Sequence, residues 1–153
     1  MNFLVTIGDP TNDKVLEMIR DGDKYYDDLY PVESNHLMDI DSLLQKNVVF
    51  FIALKNQTIC GFGAIVNMMT YGEIKRMYVE PSERGFGIGH QLLSALESSA
   101  RQQGLVTLRL ETGIRQPEAI SLYKAHGYCE ISAFGTYSPD PLSIFMEKNL
   151  TFS

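Results

Sequence analysis

The sequence predicts a mixed α/β fold, in which about four helices pack on a central, mostly antiparallel, twisted sheet of about six to seven strands. Three observations support this fold class. Apolar residues recur at helical spacing in several segments, runs rich in β-branched and aromatic residues lie between them, and glycine or proline marks many of the junctions. No repeat, low-complexity run or flexible linker interrupts the pattern. We therefore expect residues 1–153 to form a single domain.

The first half of the chain predicts three strands and two helical regions. NFLVTIG is expected to be the first strand, and NDKVLEMIRDGDKYYDDLY a helix capped by Thr11 or Asn12. PVESNHLMDIDSLLQK predicts a second, shorter helical region that begins with a loop. VVFFIALKNQTICGFGAIVNMM then predicts two strands joined by a turn at residues 55–57.

The second half of the chain predicts four strands and two helices. GEIKRMYVEP is expected to be a strand that ends at Pro81, because proline cannot donate a ladder hydrogen bond. Residues 87–103 carry an apolar side chain at every fourth position (Ile88, Leu92, Leu96 and Ala100), which predicts an amphipathic helix that Gly104 ends. LVTLRLET predicts a strand, PEAISLYKAHG a helix with proline in its first turn, and CEISAF and SIFMEKNL the closing strands.

Composition and charge narrow the range of partners. The formal net charge is −6, so we expect no nucleic-acid partner and no anionic membrane partner. No run reaches 18 apolar residues, and the N-terminus lacks the basic region and cleavage site of a signal peptide. Cys60 and Cys129 form no CxxC motif, which favours a reduced, cytoplasmic protein. His36, His90 and His126 lack metal-ligand spacing, so no metal is expected.

The segment RGFGIG, residues 84–89, joins a predicted strand to a predicted helix. The first N–H groups of a helix have no internal partners and lie at the positive end of its dipole. Glycine allows a ligand to approach the backbone closely, and Arg84 adds a permanent planar cation. Glycines alone would suit a tight turn equally well. Together with the helix N-terminus and Arg84, they favour a phosphate-binding loop.

Three kinds of phosphate loop are compatible with glycine-rich sequences. A Walker loop requires GK[ST], which this chain lacks. A dinucleotide loop requires G-x-G-x-x-G, but His90 stands where the last small residue belongs after Gly85 and Gly87, and repeated βαβ units are missing. The third pattern, R/Q-x-x-G-x-G/A, is filled by Arg84, Gly87 and Gly89.

With this third pattern the sequence resembles the GNAT superfamily of acetyl-CoA-dependent N-acetyltransferases. GEIKRMYVEPSERGFGIGHQLLSALE is similar to the family's cofactor-binding strand, loop and helix, and LRLETGIRQPEAISLYKAHGY to its next strand and helix. The resemblance covers most of the chain. It implies acetyl-CoA as co-substrate and direct acetyl transfer to a primary amine of a small molecule, amino acid or peptide. Dimers are common in the family, so a homodimer is an expectation from the resemblance alone.

The resemblance also implies which residues hold coenzyme A. Backbone groups of a splayed strand would pair with the pantetheine arm, and the glycine loop would hold the pyrophosphate. Glutamine stands at position 116, where the family often has asparagine, which leaves that pantetheine contact open. The cofactor-binding residues expected on this basis are Met77, Tyr78, Val79, Arg84, Gly85, Phe86, Gly87, Ile88, Gly89, His90, Gln116 and Tyr123.

Two residues are expected to move protons during the transfer. Tyr123 matches the family's tyrosine that protonates the departing thiolate, and its alternative role is packing on the core. Glu73 matches a glutamate that is the base in some members, and Glu111 is the rival carboxylate. Strand alternation is expected to place Glu73 on one face with Lys75, Met77 and Val79. An acyl-cysteine route through Cys60 is disfavoured, because no histidine is convincingly near it.

The acceptor site is expected near the early helical region, which borders it in the family. Residues 21–41 are rich in acids and tyrosines, and most of these acids suit a solvated helix face. In LYPVESNH, the residues Tyr30, Glu33 and His36 lie in a predicted loop, and Tyr137 of FGTYSPDP is expected to close the other side. A carboxylate with aromatic rings would suit a cationic amine.

Two other classes of function compete with the enzyme. One is a non-catalytic acyl-CoA-binding sensor or interaction domain on the same fold. The other is a nucleotide-binding module that carries out no acetyl transfer. Retention of Tyr123 and of the loop argues against the first alternative.

Overall fold

The computed structural model describes residues 3–34 and 36–150. Within them, seven strands form one sheet, and four α-helices flank it. The strands are β1 (Phe3–Ile7), β2 (Val48–Lys55), β3 (Thr58–Asn67), β4 (Gly72–Val79), β5 (Thr107–Gly113), β6 (Cys129–Ile131) and β7 (Ser143–Asn149). The helices are α1 (Asp13–Leu29), α2 (Ile40–Leu43), α3 (Ile88–Gln102) and α4 (Pro117–Ala125). The predicted order of elements and the mixed, mostly antiparallel class are confirmed.

Helix α1 packs on one face of the sheet. Its buried residues Val15, Met18 and Ile19 recur at helical spacing and contact the apolar side chains of β2 and β3. Oδ1 of Asn12 accepts a hydrogen bond from the N–H of Lys14 at 2.9 Å, so the predicted cap is confirmed. The segment after α1 is less helical than expected: only a short 3₁₀ turn (Val32–Ser34) and the four residues of α2 are helical.

Helices α3 and α4 cover the opposite face. Leu92, Leu93, Leu96 and Ala100 of α3 are fully buried against the sheet. This apolar stripe includes the every-fourth-residue pattern from which the helix was predicted. Gly104 follows the helix with φ at +78°, the left-handed conformation typical of a helix C-terminus.

The sheet is antiparallel except between β4 and β5. These two strands are parallel and pair only at Gly72 with Leu108 and at Glu73 with Arg109. Beyond this point they diverge, so the later backbone groups of β4 have no ladder partner on the β5 side. Unpaired N–H and C=O groups at such an opening are available to an extended amide ligand.

A β-bulge at Arg76 changes the direction of side chains along β4. Its φ is +58°, and the register with β3 shifts at this point. Before the bulge, Lys75 reaches the connection between α1 and α2, where Nζ donates to the carbonyl of His36. After it, Met77 and Val79 pack on the α3 side. The expectation that all these residues share a face with Glu73 is therefore wrong, because one extra residue reverses the alternation.

Candidate active site

A cleft of about 1280 Å³ opens where β4 and β5 diverge. Its walls come from the α1–α2 side, from β4, from the loop that precedes α3, and from the first part of α4. Cofactor and substrate sites commonly occupy such concave openings. The cleft brings together most of the residues predicted to bind coenzyme A: Met77, Tyr78, Val79, Arg84, Gly85, Gly87, Ile88, Gly89, His90, Gln116 and Tyr123.

The glycine loop has the backbone that its sequence requires. Gly85 and Gly87 have φ values of +88° and +87°, and Gly87 is the N-cap of α3. Side-chain-bearing residues rarely adopt this conformation, so both positions favour glycine. Gly87 has no side chain to cap the helix, which leaves the first N–H groups of α3 directed at the cleft.

Gly89 brings α3 and α4 together behind the loop. A Cβ at this position would lie 2.8 Å from Cδ2 of Leu122 on α4. Close packing between two helices that both line the cleft therefore favours glycine at the third position of the loop pattern.

Arg84 and Phe86 have specific positions in the loop. Nε of Arg84 donates to the carbonyl of Val79 at 2.9 Å, and its guanidinium lies 3.3 Å from a carboxylate oxygen of Glu118. Both contacts are at the surface, so the guanidinium remains available to an anion. Phe86 does not line the cleft; its ring is 47% exposed, with Nζ of Lys55 5.3 Å from the centroid.

Gln116 is the N-cap residue of α4 and lines the cleft. Its Oε1 accepts a hydrogen bond from the N–H of Gly113 at 3.2 Å and one from the hydroxyl of Tyr30 at 3.4 Å. The amide oxygen is therefore used within the protein, and the amide NH₂ is the group left to bind a ligand.

Tyr123 lies in the cleft wall and is 6% exposed. Its ring packs edge-on against Tyr128, with centroids 5.9 Å apart. Burial, followed by the negative charge of Glu111, raises the pKa of Tyr123 above its ordinary value. The phenol is therefore protonated at neutral pH and can donate a hydrogen bond or a proton.

Glu73 lies in a buried polar cluster beside the cleft. The hydroxyl of Tyr137 donates to its Oε2 at 2.5 Å, and Nζ of Lys75 is 3.6 Å from the same oxygen. Lys75 also donates to the Tyr137 hydroxyl at 2.8 Å. Glu73 is 7% exposed and does not line the cleft, although Lys75 does. This position argues against direct contact between Glu73 and an acceptor amine.

Glu111, the rival carboxylate, does line the cleft. Burial raises the pKa of its carboxyl above the ordinary value, and a 2.7 Å hydrogen bond from Oγ of Ser143 acts in the opposite direction. A carboxylate with a raised pKa is a better proton acceptor than an exposed one. Glu111 and Tyr123 both line the cleft, and the negative charge of Glu111 contributes to the raised pKa of Tyr123.

The four predicted acceptor residues are not brought together. His36 lines the cleft, and its Nε2 is buried without a hydrogen-bond partner among the described residues. Tyr137 packs edge-on against His36 at 5.2 Å but does not itself line the cleft. Glu33 is exposed in the 3₁₀ turn, outside the cleft. Tyr30 is buried, and its hydroxyl accepts a 2.9 Å hydrogen bond from the N–H of Arg115.

Other residues of α1 and of the following segment line the acceptor side of the cleft. Tyr25 and Tyr26 take the place expected for Tyr30, one helical turn earlier. The sequence signal for Tyr26 was its helical spacing, because it follows Ile19 by seven residues and so lies on the same face of α1. The remaining residues on this side are Met18, Ile19, Gly22, Leu37 and Met38.

Cys60 has a structural environment. It is 3% exposed, its Sγ donates to the carbonyl of Ala53 at 3.5 Å, and it does not line the cleft. Burial raises the pKa of its thiol, which disfavours the reactive thiolate. This environment agrees with the expectation that no acyl-cysteine forms here.

Residues 3–34 and 36–150 contain neither a candidate metal site nor a helix suited to a membrane. No group of three or more His, Cys, Asp or Glu side chains in these ranges could hold a metal ion. Among the same residues, no helix has the length and apolar character needed to cross a membrane.

Comparison with known proteins gives the family. The sequence profile of the Acetyltransferase (GNAT) family matches residues 15–128. An IAA acetyltransferase from Azospirillum brasilense is 44% identical over 151 residues, which cover 97% of this chain and 99% of that protein. An aminoalkylphosphonate N-acetyltransferase from Salmonella typhimurium is 35% identical over 94 residues, which cover 57% of this chain and 60% of that protein.

Solved structures give the same result. A protein from Klebsiella pneumoniae, assigned to the acyl-CoA N-acyltransferases, has a TM-score of 0.83 and 39% identity, over 97% of this chain and 98% of that one. The PaiA N-acetyltransferase from Thermoplasma acidophilum, solved with coenzyme A, has a TM-score of 0.76 and 20% identity, over 97% of this chain and 99% of that one. At that identity the second likeness shows the fold alone.

The chain belongs to the Acetyltransferase (GNAT) family. It is an acyltransferase that uses acetyl-CoA as co-substrate, as the other members do. The diverging strands, the positive-φ glycines and the open N-terminus of α3 fit an extended ligand with a pyrophosphate.

Proposed function

We propose that this protein transfers the acetyl group of acetyl-CoA directly to a primary amine of a small molecule, amino acid or peptide, and that residues 1–153 act as a single acetyltransferase domain. The observation that carries the proposal is the position of Tyr123 and Glu111. A protonated phenol and a carboxylate with a raised pKa line one cleft, next to an anion-binding helix N-terminus.

The donor end of the proposed site is the glycine loop with the adjoining strand. The first N–H groups of α3 and the guanidinium of Arg84 would bind the pyrophosphate. The backbone of β4 from Met77 to Val79, which has no ladder partner on the β5 side, would pair with the amides of the pantetheine arm. The carbonyl of Val79 already accepts from Arg84, so the other groups of this stretch would make these contacts. The NH₂ group of Gln116 is the third polar contact that we assign to this end.

In the proposed transfer step, the amine nitrogen forms a bond to the thioester carbonyl carbon as the carbon–sulfur bond breaks. Glu111 accepts the proton that leaves the amine, and the hydroxyl of Tyr123 donates to the departing sulfur. General acid or base assistance of this kind is worth about 10²–10⁴-fold for each group. No covalent enzyme intermediate is needed, in agreement with the buried Cys60 outside the cleft.

We assign the base to Glu111 in preference to Glu73. Glu73 already accepts a short hydrogen bond from Tyr137 and lies beside the ammonium of Lys75. Protonation of its carboxylate would disturb both contacts, whereas Glu111 has a single side-chain donor, Ser143, among the residues that the structure describes. Glu73 then positions Tyr137 and Lys75 at the acceptor side of the cleft.

The acceptor end of the proposed site has both aromatic and charged character. Tyr25 and Tyr26 offer rings, Lys75 an ammonium, and His36 an unpartnered ring nitrogen. This combination suits a small amine with a second polar group better than a long polycation. The names of relatives supply one class to test, since one of them acts on aminoalkylphosphonates.

Thiol release from acetyl-CoA over a panel of amines tests the proposal. The panel contains amino acids, aminoalkylphosphonates, peptides, polyamines and aminoglycosides, and thermal shift with acetyl-CoA, ATP and NAD runs in parallel. A ligand at 100 times its Kd should stabilise the protein by about 2.7 kcal/mol. Stabilisation by acetyl-CoA without thiol release for any amine would favour the sensor, and stabilisation by ATP or NAD alone would favour a nucleotide-binding module.

A further inference from the structure

A line of three side chains runs from a buried carboxylate to the mouth of the cleft. Glu97 of α3 is 4% exposed, and its Oε2 lies 3.4 Å from Nε2 of His126, which follows α4. Nδ1 of His126 lies 3.0 Å from Nδ1 of His90, in the first turn of α3. His90 is exposed and lines the cleft beside the glycine loop.

The charge of Glu97 determines where the protons lie along this line. An oxygen of this carboxylate lies 3.4 Å from Nε2 of His126, and its negative charge favours an N–H on that nitrogen, which leaves a lone pair on Nδ1. Burial lowers the pKa of His126 below its ordinary value, so the ring is neutral at neutral pH. Because two Nδ1 atoms 3.0 Å apart share one proton, Nδ1 of His90 must be the donor. The other nitrogen of His90, Nε2, is then unprotonated when the ring is neutral.

We infer that His90 binds the pyrophosphate of coenzyme A as an imidazolium, taking up one proton at Nε2, and that His126 and Glu97 position it for this role. The inference rests on the proposed function, since it requires coenzyme A in the cleft. In this tautomer a neutral His90 has only a lone pair at Nε2, so that nitrogen cannot donate to an anion. Protonation creates a charged N–H donor at Nε2 while the hydrogen bond to His126 is kept.

The charged groups around the pair are compatible with this role. Nζ of Lys148, from β7, donates to both oxygens of Glu97 at 2.9 and 3.1 Å, and the hydroxyl of Tyr128 donates to Oε2 at 3.1 Å. Arg101 of α3 lies 4.0 Å from Glu97. These contacts hold the carboxylate in place, so that it fixes the tautomer of His126. On the cleft side, the charged side chains that line the wall near the glycine loop include Glu83, Arg84 and Glu118.

Calorimetric titration with dephospho-CoA tests the inference. This probe keeps the pyrophosphate and lacks the 3′-phosphate, whose own ionisation near pKa 6 would add a second pH effect. Titrations between pH 5.5 and 8.5, each in two buffers of different ionisation enthalpy, give the number of protons taken up. We expect the complex to take up as much as one proton for each dephospho-CoA bound. The Kd for this ligand should then rise by at most about tenfold for each pH unit. Pantetheine, which lacks the pyrophosphate, should bind without proton uptake.

The variants separate binding from positioning. His90→Gln should remove the proton uptake and the pH dependence, leaving the affinity that the wild type has at high pH. His126→Gln retains an acceptor for His90 and a donor for Glu97, so it should keep the proton uptake. His126→Phe offers no acceptor and should reduce the affinity at low pH toward that of His90→Gln. Thermal unfolding of each variant checks that it is folded.

The outcomes distinguish this inference from the proposed function. Binding of dephospho-CoA to the wild type without proton uptake overturns the inference and leaves the cofactor site intact. Proton uptake that persists in His90→Gln has the same consequence. A wild type that binds neither dephospho-CoA nor CoA overturns both. In ¹⁵N spectra of the three histidines at high pH, we expect the Nδ1–H tautomer for His90 and the Nε2–H tautomer for His126. The reverse pair of tautomers would refute the assignment.

Discussion

Replacement of Tyr123 by phenylalanine is the sharpest test of the proposed chemistry, because the structure separates its effects on rate and on stability. The ring is 6% exposed, packs against Tyr128, and would keep these contacts as phenylalanine. The Tyr123 hydroxyl forms no hydrogen bond with any other described residue, so its removal leaves no buried donor or acceptor unpaired. We therefore expect the free energy of unfolding to change by less than about 0.5 kcal/mol.

The rate should respond quite differently if the hydroxyl assists the departure of the sulfur. Loss of a general acid lowers kcat by about 10²–10⁴-fold, or about 2.7–5.5 kcal/mol in the activation barrier. The affinity for acetyl-CoA should stay within about twofold, because the ring still fills the same wall. Thiol release gives kcat, calorimetry gives the Kd for acetyl-CoA, and thermal unfolding gives the stability.

Tyr71→Phe is the matched control for this variant. Tyr71 is also buried, at 8% exposed, and burial likewise raises the pKa of its phenol, but it does not line the cleft. Its replacement should leave kcat unchanged. A Tyr123→Phe enzyme with more than a third of wild-type kcat would remove the residue from the mechanism. A parallel loss of stability and rate would point to packing as its role.

Three further predictions concern the base, the loop and the predicted acceptor segment. Glu111→Gln should lower kcat/KM by about 10²–10⁴-fold and abolish the acidic limb of the pH profile. In the wild type this limb should lie above the ordinary carboxyl range, because the pKa of Glu111 is raised and activity falls as the carboxylate becomes protonated. Glu73→Gln should retain the limb, and the opposite result would restore Glu73 as the base. Gly87→Ala should destabilise the protein by about 1–2 kcal/mol, since φ is +87° there, and should raise the KM for acetyl-CoA. Tyr30→Phe should lower the free energy of unfolding by about 1–3 kcal/mol, because it leaves the N–H of Arg115 unpaired, and the KM for the amine should not change. A raised KM would return Tyr30 to the acceptor site.

Local patterns along the chain were sufficient for the elements and for the donor loop. A helix or strand is specified by spacings of two to four residues, which are visible in one sequence. The apolar stripe of α3, the cap at Asn12 and the start of α3 directly after the glycine loop all belong to this kind of information. Each depends on near neighbours, so the structure confirms them almost residue by residue.

The choice of acceptor-side residues depended on longer distances. Tyr30 was a reasonable candidate by its position in a loop, but its hydroxyl contacts residue 115, far along the chain, and is buried there. Tyr26, which lies in the last turns of the predicted helix, lines the cleft instead. The position of Tyr30 is set by its contacts with Gly113, Arg115 and Gln116, which only the folded chain brings close to it.

The sequence by itself determined the fold class and the order of the elements, because these depend on short-range spacing. The phosphate-type loop was predicted from a contiguous motif, and the candidate acid from the resemblance to the family that carries this motif. Only the tertiary structure decided which carboxylate faces the cleft. The bulge at Arg76 reverses the alternation of β4, and the pairing of Glu73 with Tyr137 joins residues that are far apart in the chain. One extra residue in a strand changes every later side-chain direction, and contacts of long sequence separation form only when the chain is folded.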